Sequence, residues 1–163
     1  MSNVTIEKDL ENLTLEIAAE FDASADQVWQ IWENPRKLER WWGPPTWPAT
    51  FEKLELHPDG AAAYYMTGPD GEKARGWWRV VAVEPPTRFE FEDGFADENG
   101  DPVESLGSTR AVVTITEAGS RTRMSILSRF ESLEQMEEMV KMGMEEGMSQ
   151  AFTQIDALLD PEG

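Results

Sequence analysis

FDASADQVWQIWENPRKLERWWGPP, residues 21–45, is the stretch whose reading decides the fold. Ser24 stands three residues before Gln27, the pattern of a capping box, and Val28, Ile31 and Trp32 then fall on one helical stripe. Asn34-Pro35 ends that helix, and residues 36–41 have room for one more helical turn before Gly43-Pro44-Pro45 stops it. Two tryptophans thus run straight into a corner, because proline fixes φ and glycine takes angles that other residues avoid. A tryptophan buries about 150–250 Å² wherever it packs. Core packing is the ordinary reading of either Trp41 or Trp42 on that ground.

Working outward, Leu13, Leu15, Ile17, Ala19 and Phe21 alternate with Thr14, Glu16, Ala18 and Glu20, a strand with one buried face. On the other side, residues 50–57 read as a strand with a bulge, since Phe51 and the pair Leu54, Leu56 are out of phase. Residues 61–67 form a strand with Ala62, Tyr64 and Met66 on one side. Residues 73–83, 87–92, 109–117 and 122–130 are further strands, and an acidic loop is expected over 93–107. Turn signals such as Pro58-Asp59-Gly60 and Pro69-Asp70-Gly71 separate them, which implies an antiparallel meander.

Ser132 and Gln135 make a second capping pattern, and the spacing predicts one helix from Leu133 until Pro161 blocks it. Such a helix is roughly 40 Å long, enough to cross a whole sheet. Met136, Val140, Met144, Met148, Ala151, Ile155 and Leu158 share its broad apolar face. Gly143 and Gly147, each costing about 1 kcal/mol in a helix interior, are four apart and leave a shallow groove. They either let a strand or tryptophan pack close or line space for a ligand. Five of the eight methionines lie here, and methionine fills irregular space adaptably. The order β-α-α-β6-α is an α+β architecture in which only the last helix can cover the concave face of a curved antiparallel sheet.

That order, with RWWGPP after the second short helix, resembles the helix-grip superfamily of START-like and Bet v 1-like (SRPBCC) proteins. More closely it is similar to the domain family named for the activator of the Hsp90 ATPase (AHSA1-like). The resemblance rests on residues 21–45, on MTGPDG (66–71), on RGWWRVVAVEPPTRFEF (75–91) and on the chain end from SRFES onward, and it covers roughly residues 10–159. It implies a single domain spanning 1–163, with a cavity between sheet and long helix. Many relatives carry a tryptophan where this chain has Met148 and a large residue near Ala62, so both positions imply a larger or reshaped cavity here.

Composition narrows the function classes. The formal net charge is −18 over 163 residues, which repels nucleic acid and anionic membrane surfaces. No apolar run approaches the ~20 residues of a membrane span, and the N-terminus lacks a basic-then-apolar leader, so a cytoplasmic protein is expected. The chain has no cysteine, which excludes disulfides, thiolate metal sites and a cysteine nucleophile. His57 is the only histidine; no zinc-binding spacing and no GxSxG elbow accompanies it. Asp97, Asn99 and Asp101 are spaced like the first ligands of a calcium loop, but Pro102 replaces the required glycine and no bidentate Glu follows. No cofactor, metal or catalytic residue is therefore assigned.

The expected function is binding of a small hydrophobic molecule in the groove. Its walls are assigned to Ala62, Tyr64, Met66, Trp78, Phe91 and Val113 on the strands. Ile126, Gly143, Met144, Gly147 and Met148 complete them, with Trp42 and Trp47 at the rim. Tyr64 is the polar handle. The alternatives are a co-chaperone of an Hsp90-type ATPase, which the resemblance implies, and a cyclase-like enzyme acting on a bound substrate. A chaperone or a second copy of the chain are the protein partners considered.

Overall fold

The structure is a computed structural model that describes residues 4–159. Strands β1 (Thr5–Asp9) and β2 (Thr14–Phe21) lead into helices α1 (Ala25–Glu33) and α2 (Pro35–Leu38). Strands β3 (Ala49–Leu54), β4 (Ala61–Thr67), β5 (Lys73–Glu84), β6 (Arg88–Ala96), β7 (Ser108–Ala118) and β8 (Arg121–Arg129) follow. Helices α3 (Leu133–Lys141), α4 (Met144–Phe152) and α5 (Ile155–Leu159) close the described chain. The strands form one antiparallel sheet in the order β1-β2-β8-β7-β6-β5-β4-β3. It is curved and does not close, and with the C-terminal helices it makes the α+β helix-grip arrangement.

Local chemistry explains most of these elements. The Ser24 hydroxyl accepts the Gln27 N–H and the Gln27 side chain accepts the Ser24 N–H, so both halves of the capping box are made. Asn34 then caps α2 by accepting from Arg36 and Lys37, with Pro35 at the first helical position. The expected bulge lies between Phe51 and Lys53. On the concave face, Ile17, Ile126, Val113 and Phe89 stand opposite one another across four strands, all buried. Burying each such side chain contributes about 1.5–3 kcal/mol.

Three elements differ from the sequence reading. The sheet gains an edge strand, β1, paired to β2 from Thr5↔Ala18 to Asp9↔Thr14. Strand β6 continues to Ala96, so the acidic loop starts later and residues 93–96 belong to the sheet. The long helix is three short ones. Gly143 has φ 92°, a left-handed conformation that suits glycine, and its N–H bonds the Val140 carbonyl in place of the helical pattern. A second break follows Phe152. Pro161, the expected stop, lies outside the described residues.

The tryptophan corner is locked from both sides. Trp41 is buried, donates to the Ile31 carbonyl at 3.0 Å and meets Trp32 edge-on at 4.7 Å between ring centres. A Cβ at Gly43 would come within 2.1 Å of the Trp47 carbonyl oxygen, so no larger residue fits that turn. Gln154, in the break between α4 and α5, donates to the Gly43 carbonyl at 2.7 Å. The corner and the C-terminal helices are thus tied directly together.

Candidate functional site

Beside that corner, between the sheet and helices α3 and α4, lies an open recess of about 330 Å³. Its floor comes from β6, β7 and β8 through Phe91, Ala111 and Ile126. Its outer wall comes from Met139, Met142, Met144 and Met148 with Gly143 and Gly147. Trp41, Trp42 and Phe152 close one end. A Cβ at Gly147 would meet no atom within 4 Å, so this glycine faces open space and accommodates no close-packed strand or ring.

The polar group of this recess is a pair that the fold assembles from two strands. Phe89, Phe91 and Asp93 alternate along β6, which carries Asp93 onto the concave face beside Trp78 on β5 and Thr109 on β7. Tyr64 on β4 stands opposite Gly76, whose missing side chain lets the phenol ring lie down: a Cβ there would fall 2.4 Å from the ring. Phe51 stacks on the same ring at 5.0 Å. So held, the Tyr64 hydroxyl donates to Asp93 Oδ1 at 2.9 Å.

Burial pushes the Asp93 carboxyl up to about 7, against the Tyr64 hydrogen bond, which favours its ionised form. Burial and then the Asp93 charge push the Tyr64 phenol well up in turn. The indole N–H groups of Trp42 and Trp78 lie near enough to the Tyr64 oxygen to favour its ionised form, yet neither completes a hydrogen bond. Two buried donors are therefore directed at a polar centre without being satisfied, which is costly in a packed interior.

Of the residues assigned from sequence, Trp42, Tyr64, Met66, Phe91 and Ile126 line the recess, as do Gly143, Met144, Gly147 and Met148. Four do not. Ala62, Trp78 and Val113 are packed into the core, 2%, 1% and 0% exposed, so the small residue at Ala62 is filled over by neighbours and adds nothing to the recess. Trp47 stands outside the recess lining, its ring over Gly68. The sequence reading places Asp93 at the start of an acidic loop and so leaves it out of the site; the alternation Phe89, Phe91, residue 93 is the signal that finds it. His57 is exposed and distant from this chemistry. Asp97 accepts the backbone N–H groups of Asn99 and Asp101, closing its loop on itself. Among the described residues no cluster of three metal-ligating side chains occurs, and no helix is long and apolar enough to cross a membrane.

Comparison with known proteins bears on the fold and the family. A protein from Arthrobacter aurescens, solved by NMR, is 61% identical over 95% of this chain and 90% of its own, with a TM-score of 0.92. Crystalline Ms6760 from Mycobacterium smegmatis is 46% identical over 98% of both chains, with a TM-score of 0.90. The AHSA1 protein from Silicibacter pomeroyi shares the fold at 20% identity, over 92% of this chain and 99% of its own, with a TM-score of 0.74. No curated protein matches the chain. The family model described as "Activator of Hsp90 ATPase homolog 1-like protein" matches residues 22–160, from the turn before the first helix to the end of the last. With its two short helices, its tryptophan corner and its sheet gripping the C-terminal helices, the chain belongs to that family.

Proposed function

We propose that this protein binds a small, largely apolar molecule in the recess between sheet and helices α3 and α4. The observation that carries the reading is an apolar recess into which one ionisable pair, Tyr64 with Asp93, projects beside the neutral Thr109 and Ser128. Apolar walls supply affinity and a few convergent polar groups fix orientation, the usual composition of a small-molecule site. The open space at Gly147, kept at a cost of about 1 kcal/mol in helix stability, supports the same reading. The net charge of −18 and the absence of cysteine suit a carrier working in the cytoplasm.

Native mass spectrometry of the protein purified gently from its host tests this. A reproducible added mass of a few hundred daltons, absent from Gly147→Trp, is the expected result. An adduct that survives Gly147→Trp places the ligand elsewhere. A bare chain at every purification would instead favour a protein partner, such as a chaperone ATPase, for the same exposed methionine face.

A further inference from the structure

We propose that the ligand of this recess is a cation, a protonated amine attached to apolar groups, with its ammonium on Asp93 and its hydrocarbon among the aromatic rings and methionines. The proposal rests on the small-molecule reading above and adds the ligand's charge.

The direction of the hydrogen bonds is the first reason. Tyr64 donates to Asp93 Oδ1, and the Trp42 and Trp78 N–H groups are aimed at the Tyr64 oxygen. Only the Tyr64 hydroxyl reaches the carboxyl group, and accepting that bond favours the carboxyl's anionic form. Its other oxygen, Oδ2, takes no hydrogen bond among the described residues, and the carboxylate forms no ion pair. The group is half-buried and lines the recess, so that oxygen is available to a ligand.

The second reason is what surrounds it. Facing Asp93 are Tyr64 from β4, Trp78 from β5, Thr109 from β7 and Trp42 from the corner. The helices contribute Met139, Met142, Met144 and Met148. Among the described residues no lysine, arginine or histidine lines the recess, and Tyr64 is the only other titratable group there. A carboxylate in such a place lacks a counter-charge, and a cationic ligand supplies one. Tryptophan, tyrosine and phenylalanine faces attract cations as well, and a chain of net charge −18 draws them from solution. A carboxylate ligand would meet repulsion from Asp93 and from the net charge of −18.

Three probes that share one phenylethyl group separate the possibilities: 2-phenylethylamine, 2-phenylethanol and 3-phenylpropanoate, titrated calorimetrically in 150 mM salt. At pH 8 the amine is expected to bind at least tenfold more tightly than the alcohol, and the carboxylate most weakly. Asp93 carries its charge only above about pH 7, so amine affinity should fall about tenfold between pH 8 and pH 5.5 while alcohol affinity stays level. Asp93→Asn should bring amine and alcohol together, and Gly147→Trp should abolish both, which separates the recess from the acidic surface. Tyr64→Phe, which keeps the carboxylate, should keep the amine preference should Asp93→Asn fail to fold. Alcohol or carboxylate binding as tightly as the amine overturns the cationic ligand and leaves the small-molecule site standing. Amine preference persisting in Asp93→Asn overturns it too. Failure of all three probes at millimolar concentration overturns both readings.

Discussion

The two ends of the space under the C-terminal helices are built from different materials. Beneath α1, the fully buried Trp32 touches five other aromatic rings, with centroids 4.7–6.3 Å away. Beneath α3 and α4, four methionines and two glycines face a recess. Rigid rings with two torsions fill a volume that never changes; unbranched thioethers adapt to one that does. The difference teaches that the aromatic rings clustered around Trp32 serve mainly as a fixed frame. The proposed site lies where that frame, through Trp41, Trp42 and Phe91, meets the adaptable methionine wall.

The largest effect should come from breaking the solid end. Trp32→Ala removes a fully buried ring and its contact to Met124 Sδ, and should cost about 3–5 kcal/mol in chemical denaturation. A loss below 1 kcal/mol would mean the frame is as adaptable as the methionine wall.

Next is the polar centre between the two ends. Asp93 titrates near 7 in the folded chain against an ordinary carboxylate value of 3.8. Between those values the folded chain holds a proton that the unfolded chain has lost, so stability from this group falls as pH rises from about 4 to 7 and is level above. Asp93→Asn should remove that slope, and the stability difference between variant and wild type should change by an amount on the order of 4 kcal/mol across the window. A difference independent of pH would show that the carboxyl is solvated and no part of a dry site.

The smallest effects sharpen the hollow end. Gly143→Ala forces a side chain into left-handed geometry and should destabilise by about 1 kcal/mol. Gly147→Ala, four residues on, adds a methyl to empty space in an ordinary helix and should stabilise by about 0.5–1 kcal/mol. Opposite signs in thermal melts distinguish a glycine kept for its backbone from one kept for its lack of volume.

Much of this was legible in the chain. The capping box at Ser24, the alternation through β2 and the corner at Gly43 are local signals, and local chemistry produces what they announce. The helix break was also written there: Lys141 in a last turn and Gly143 two residues later form a stop signal. The longer apolar periodicity through Ile155 concealed it. Strand β1 was hidden because Thr5, Glu7, Lys8 and Asp9 are exposed at a sheet edge and show no buried face. The Tyr64–Asp93 pair joins residues 29 positions apart, and only strand register brings them together. Ala62 failed for the converse reason, since the room beside a small residue depends on neighbours that sequence spacing does not name.

Breaking the C-terminal helix also changes how the protein opens. No segment of it exceeds nine residues, and helices that short do not hold their hydrogen bonds unaided in water. Each depends on its own contacts, so one can detach without dragging the others or the sheet along. Amide hydrogens of α4 should therefore exchange with solvent well before those of β7 and β8, and a guest could enter on the timescale of one helical segment's fluctuation rather than of unfolding.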